Sequence, residues 1–325
     1  MDEDKMSNYE NVEMRAVYTQ TLIELAEQDD RIVLLEADLM RATGTQPFMD
    51  KFPKRTFNVG VAEANMVGIA AGLSSTGKIP FANTFASFAA RRTYDQFFIS
   101  ANYARLNVKL VGSDPGITAL YNGGTHMPFE DMGIMRNIPG LTIFEPSDAV
   151  SLKKLVKQAS EFYGCTYMRL NRRVSPVIYA EDADLQLGKG YVLRDGDDVA
   201  IFAIGAVMVN EALAAADVLG MQGISAAVID MFTLKPLDKD LVLNYAQKTK
   251  AIVTCENHQV INGLGSAIAE YLSEVQPTLM RRVGVMDEFG EVGELDYLMK
   301  RFGMTAENIT QQTLILLKQK EKELV

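Results

Sequence analysis

The chain has 325 residues, 48% of them hydrophobic, enough to bury two domain cores more readily than one. A formal net charge of −10, with the acids spread along the chain, argues against nucleic acid or an anionic membrane as a partner. Small anionic substrates stay open, because a local pair of arginines can dominate a pocket.

Cys165 and Cys255 each sit in an apolar run, no secretory-type leader opens the sequence, and no long apolar span follows. The expectation is a reduced, cytoplasmic protein. With two histidines and no Cys/His spacing, no transition-metal motif is present.

Residues 1–8 are polar, and apolar spacing predicts a helix over 9–28. A buried strand over 31–36 and a loop over 37–44 come next. Helix 62–75, strand 79–84, helix 88–102 and strand 107–113 alternate, then strand 141–144, a helix to about 162 and strand 165–170. Apolar strands alternating with helices predict an α/β fold, a mostly parallel sheet with helices on both faces.

Polar residues with Pro176 and an acidic run read as a linker over 176–190, dividing a first domain (1–175) from a smaller α/β domain (191–325). In the second, strands 199–204, 224–229, 251–255 and 278–283 alternate with helices 208–219, 238–247 and 263–274. Helices near 294–301 and 305–322 close the chain.

Ligands of open α/β sheets sit beyond the carboxyl ends of the strands, so the loops there hold the candidates. From Ala62 to Leu73 nearly every residue is small or apolar, which predicts a buried helix with Glu63 at its mouth. That carboxylate is either a structural acid at a helix N-terminus or a placed acid–base group. Phe85 and Phe88, three apart, either pack in the core or stack a flat heterocycle. The loop from Ser113 to Met127 is rich in glycine and carries His126, a solvated turn histidine or a donor to a developing oxyanion. Arg169, Arg172 and Arg173 form either a solvated basic turn or an anion clamp. His258, in the run Cys255–Gly265, is expected to reach an inter-domain cleft. The glycines from Gly60 to Gly72 have neither Rossmann nor P-loop spacing.

Taken together, Glu36-Ala37-Asp38-Leu39, Phe57–Leu73, Thr84–Gln96, Gly123–Met127 with Glu130-Asp131, Pro146-Ser147-Asp148 and Glu256–Gly265 resemble the C-terminal half of transketolase, in the arrangement split over two chains. The resemblance implies a pyrimidine-binding domain followed by a transketolase C-terminal domain, and thiamine diphosphate with Mg²⁺ as cofactors. Glu63 matches the acid that hydrogen-bonds the aminopyrimidine, favouring the imino tautomer whose nitrogen removes the thiazolium C2 proton. A dry helix mouth would raise a carboxyl's pKa, which suits that task. Phe85 and Phe88 match the aromatic pocket, Asp38 an acid near the cofactor, His126 the histidine beside the substrate carbonyl, and Arg15 and Arg172 the arginines at the sugar-phosphate end.

Two departures from the family pattern carry consequences. The Gly-Asp-Gly…Asn pattern that holds Mg²⁺ and the diphosphate is missing, so an N-terminal transketolase subunit must supply it, an α₂β₂ assembly is expected, and the chain alone should be inactive. At the substrate end Asn122 replaces an acid, Asp114 aligns with a phosphate-contacting histidine, and Ala42 with a serine. An acid at an anion site adds repulsion. The expectation is two-carbon transfer on a non-standard ketose, branched or with its anionic group differently placed. The alternatives are the β chain of a 2-oxoacid dehydrogenase and a non-catalytic partner-binding paralogue. One-chain synthesis of deoxyxylulose phosphate would need the diphosphate half in the same polypeptide.

Overall fold

A computed structural model describes residues 9–323. The chain forms two compact units: one holds the chain up to Pro115 and again from Ile134 to Leu187, the other Gly116–Gly133 and Gly188 onward. Elements run in the order α1 (Met14–Gln28), β1 (Ile32–Glu36), α2 (Met40–Thr43), α3 (Gln46–Lys51), β2 (Thr56–Asn58), α4 (Glu63–Ser75), β3 (Ile79–Phe85), α5 (Ala86–Arg91), α6 (Tyr94–Gln96) and β4 (Lys109–Ser113). Then follow α7 (Asp131–Met135), β5 (Thr142–Phe144), α8 (Ala149–Glu161) and β6 (Thr166–Leu170). The later part of the chain contains β7 (Tyr191–Arg194), β8 (Val199–Ile204), α9 (Gly205–Met221), β9 (Ala226–Asp230), β10 (Thr233–Lys235) and α10 (Lys239–Thr249). It ends with β11 (Ala251–Gln259), α11 (Leu264–Val275), β12 (Leu279–Val285), α12 (Leu295–Arg301) and α13 (Ala306–Glu323).

In the first unit the strands lie β5-β6-β4-β3-β1-β2, every neighbouring pair parallel. β1, β4 and β6 are buried at every position, as expected of strands covered on both faces. The second unit has a five-stranded sheet, β12-β11-β8-β9-β7, parallel except for the antiparallel edge strand β7. The parallel α/β class read from the sequence is the fold observed.

Several local readings need correction. The first helix starts at Met14, not residue 9, because Asn11 takes a positive φ of 61° and Glu13 forms an isolated bridge to Val174. The helix expected over 88–102 is broken: α5 stops at Arg91, α6 is one turn, and Phe97–Tyr103 is π-helical, with Asn102 Nδ2 donating to the Phe97 carbonyl at 2.7 Å. α4 is not wholly buried, since Asn65, Gly68 and Gly72 are exposed opposite its packed face of Met66, Val67, Ala70 and Ala71.

The stretch after β6, read as a linker, is tied down over much of its length. The Asp148 carboxylate accepts from Ile178 and Tyr179 at 2.8 and 2.9 Å while also capping α8 through Ser151. Gln158 receives the Leu187 amide and donates to the Leu185 carbonyl. Pro146-Ser147-Asp148, a family anchor in the sequence, thus has a structural task here.

Candidate active site

Glu63 opens α4, where the exposed amides and the helix dipole favour a carboxylate. Its residue is 3% exposed, and Oε1 accepts a hydrogen bond from Arg92 Nη1 at 2.8 Å. Arg92 follows α5 at the break before α6 and reaches back across 29 residues of sequence to Glu63. The same guanidinium lies 3.8 Å from the Phe88 ring centroid. Phe88 and Phe85 follow with centroids 6.0 Å apart and planes tilted by 50°, so the pair forms an angled wall more than a stack.

Beyond Phe85 the contacts continue. The Arg172 guanidinium lies 5.8 Å from the Phe85 ring, its Nε donates to Asp114 Oδ1 at 2.5 Å, and its Nη1 donates to the Ala42 carbonyl at 3.2 Å. Arg15 Nη1 donates to that same carbonyl at 3.0 Å, and its other nitrogens clasp Glu13 at 2.7 and 3.1 Å. A continuous row therefore runs Glu63–Arg92–Phe88–Phe85–Arg172–Asp114, with Ala42 joining Arg172 to Arg15. Asp114 and Arg172 follow the carboxyl ends of β4 and β6, and Phe85 ends β3. The sequence expectation of Asp114 as plain repulsion is refined: it is 1% exposed and already engages one face of Arg172. Burial pushes its carboxyl up from the ordinary value, and the neighbouring Arg172, Arg173 and Arg15 hold it back.

The three clustered arginines have different fates. Arg169 is fully buried and paired with Glu145 at 2.6 Å, Arg172 joins the row, and Arg173 is exposed. Asp38 is exposed at the end of β1 with φ of 62°, and its amide donates to Asn58 Oδ1 at 3.0 Å.

Two residues before it, Glu36 is the buried acid that the sequence reading passed over. Thr43 and Thr45 donate to its Oε1 at 2.9 and 2.6 Å, and burial raises its pKa from 4.5 to about 8. The folded chain therefore keeps a proton that the unfolded chain releases. The stabilisation is complete below pH 4.5 and is lost as pH rises toward 8. Glu36→Gln should thus gain stability over the parent between pH 5 and pH 8, by at most a few kcal/mol, read from urea unfolding at both pH values. A difference that does not change with pH would contradict this.

Asn122 and His126 belong to the second unit, in the segment Gly116–Gly133. Asn122 is exposed, while His126 is half-buried, its Nδ1 2.8 Å from Thr125 Oγ1. His258 does not open onto a cleft: it is fully buried within the second unit, with Gly133 N–H 3.2 Å from its Nε2. Gly263, in the same run, caps α11.

Among the described residues no group of three or more His, Cys, Asp or Glu side chains is placed to hold a metal ion. No described helix is long and apolar enough to cross a membrane. A cavity of about 830 Å³ lies at the opposite, amino-terminal edge of the first sheet, lined by Phe98, Tyr103, Phe162 and Tyr163, and contains none of the row.

Arg92 is the main site residue that sequence reading missed. The signal available was two adjacent arginines, and nothing local distinguishes which one pairs with Glu63.

Residues 10–176 match the family model described as transketolase, pyrimidine binding domain, and residues 188–309 the transketolase C-terminal domain. The chain is 53% identical over 298 residues to the 6-deoxy-6-sulfo-D-fructose transketolase subunit SqwH of Clostridium sp. (strain MSTE9), covering 92% of each chain. A solved structure described as a split gene transketolase, inactive beta4 tetramer, matches with a TM-score of 0.85 and 42% identity, over 94% of this chain and 98% of that one.

Proposed function

The chain belongs to the transketolase family, and from that premise we propose that it is the C-terminal subunit of a two-chain, thiamine-diphosphate-dependent transketolase acting on a sulfonated ketose. Residues 1–175 would form its pyrimidine-binding domain and 191–325 its C-terminal domain, joined through 176–190. The observation that carries the reading is the row from Glu63 to Arg15. It places a buried carboxylate and an aromatic wall at one end and two arginines with an acid at the other.

The residues fit the pyrimidine end of the cofactor. Arg92 already shows that a flat N–H donor can lie on Phe88 and donate to Glu63. Glu63 would hold and share the proton at the pyrimidine ring, Phe85 and Phe88 would flank the ring, and Asp38 would lie near it. When bound, the cofactor supplies the carbon nucleophile that accepts the two-carbon unit. His126 would donate to the substrate's carbonyl oxygen, with Asn122 beside it facing the adjoining hydroxyl. Mg²⁺ and the diphosphate would be held by the N-terminal subunit in an α₂β₂ assembly. The relative described as inactive when built of β chains alone supports a requirement for that partner.

Charge supports the sulfonate. Each arginine at the anion end already faces a carboxylate, Glu13 for Arg15 and Asp114 for Arg172. With the two arginines offset by two carboxylates, the anion end has no formal surplus of positive charge, which disfavours a phosphate ester of about −1.5 to −2 at pH 7 more than a sulfonate of one negative charge. The similarity to a subunit named for 6-deoxy-6-sulfo-D-fructose points the same way.

The test combines this chain with its N-terminal partner, thiamine diphosphate and Mg²⁺, and compares 6-deoxy-6-sulfo-D-fructose with fructose 6-phosphate and xylulose 5-phosphate as donors. The sulfosugar should show kcat/KM at least about tenfold above either phosphate, and the chain alone should be inactive. Equal or better use of the phosphosugars would overturn the substrate assignment, and transfer by the chain alone would overturn the split.

A further inference from the structure

The segment Gly116–Gly133 lies in sequence between strands of the first unit yet folds with the second. It is gripped at both ends by consecutive residues of β11. Asn257 Oδ1 accepts from the Ile117 amide at 2.9 Å, and His258 Nε2 accepts from the Gly133 amide at 3.2 Å. Between them, the Gln259 amide donates to the Phe129 carbonyl at 2.8 Å. Asn262 Nδ2 adds a bond to the Gly133 carbonyl at 2.6 Å.

The grip is buried and closely fitted, with Asn257 1% and His258 0% exposed. A Cβ on Gly116 would collide with the Asn257 carboxamide, and one on Gly133 would lie 3.3 Å from His258 Cε1. The glycines bounding the loop are therefore the places where β11 comes nearest to it. The tautomer of His258 follows from its partners: the Gln259 carbonyl, 2.7 Å from Nδ1, can only accept, and the Gly133 amide can only donate. The imidazole must carry its hydrogen on Nδ1 and offer a lone pair at Nε2. Beneath it Glu256 receives the Leu264 and Gly265 amides at 2.7 and 2.9 Å, fixing the strand end to the start of α11.

Between the gripped ends lie a kinked 3₁₀ turn, with Leu120 at φ 48°, and the first residues of α7; Gly124 and Met127 pack on Gly290 and Phe129 on Phe302, while the tip exposes Tyr121, Asn122 and Thr125. A segment with so little regular structure of its own takes its register from the groups that hold it, and its two ends are held by Asn257 and His258. We propose that Asn257 and His258 are positioning residues: the C-terminal domain sets the register of the Gly116–Gly133 loop and so places Asn122 and His126 against the sugar. This rests on the reading that those two residues face substrate.

The test uses the assembled two-chain enzyme with the sulfosugar donor. Asn257→Leu keeps the shape and removes the acceptor, and His258→Leu does the same for the imidazole. Each should raise donor KM about tenfold or more with a smaller change in kcat. Thiamine diphosphate affinity, measured by calorimetry, should stay unchanged, and amide exchange should accelerate across 117–133 but not in α4. His258→Gln, which restores an acceptor, should recover most of the loss.

Should the leucine variants not fold, half-buried Asn262→Ala carries the same readouts. Faster loop exchange with unchanged donor kinetics, while His126→Ala still impairs transfer, would refute the positioning role. Unimpaired transfer in His126→Ala would instead refute the reading on which it rests. Equal loss of kcat, KM and cofactor affinity in every variant would mean a general structural role and also refute the proposal.

Discussion

Glu63→Gln is expected to slow ketol transfer by the assembled enzyme by on the order of 10²–10⁴-fold, while assembly and folding stay intact. Glutamine keeps the shape and can still accept from Arg92, but it cannot share a proton with the cofactor's pyrimidine ring. The stability cost is small, because the Arg92 side chain is 48% exposed and water can solvate its charge when the carboxylate is gone. A rate loss of this size corresponds to roughly 3–5 kcal/mol in the barrier, far more than lost surface pairing could produce. Single-turnover kinetics with saturating thiamine diphosphate, alongside size-exclusion chromatography with the partner subunit, separate the effects. Unchanged turnover would remove Glu63 from the chemistry and leave it as a helix-terminal acid.

The second large effect is a change of donor. Asp114→His combined with Ala42→Ser should move the preference from sulfonated toward phosphorylated ketose by about tenfold to a hundredfold in the ratio of kcat/KM values, or roughly 1–3 kcal/mol. Asp114 is buried and bonded to Arg172 Nε at 2.5 Å, so removing it frees that guanidinium. A unit charge at roughly 6 Å in an effective dielectric of about 20 is worth about 3 kcal/mol, and Arg172 screens part of it. A phosphate carries more negative charge than a sulfonate, so it gains more from the exchange. Ala42→Ser adds a hydroxyl beside the carbonyl on which Arg15 and Arg172 converge. A double variant with an unaltered donor ratio would show that the anionic group is bound elsewhere.

How much of this was readable beforehand depends on the range of the interaction concerned. Glu63 could be placed at a helix mouth because the run from Ala62 to Leu73 is a local pattern, and a helix terminus is defined by its own few residues. Arg15, Asp114, Arg172 and Ala42 could be grouped only through the family resemblance; 130 residues separate Ala42 from Arg172, and nothing in local spacing joins them. The Glu63–Arg92 pair was invisible because 29 residues separate its members, and nothing local singles out Arg92 from Arg91. Glu36 was overlooked for the opposite reason. In sequence it is the last residue of an apolar strand, and only burial beneath Thr43 and Thr45 makes its carboxyl unusual.

The sequence by itself determined the class of fold and the alternation of its main strands and helices, but not the short strands β7 and β10 or the break after α5. Class and alternation depend on hydrophobic period and on motifs a few residues long. Only the tertiary structure decided which partner each charged side chain takes, that α4 keeps an exposed face, and that the loop carrying His126 folds with the C-terminal half. Each is a competition among distant groups for burial and hydrogen bonds, settled when the chain closes on itself.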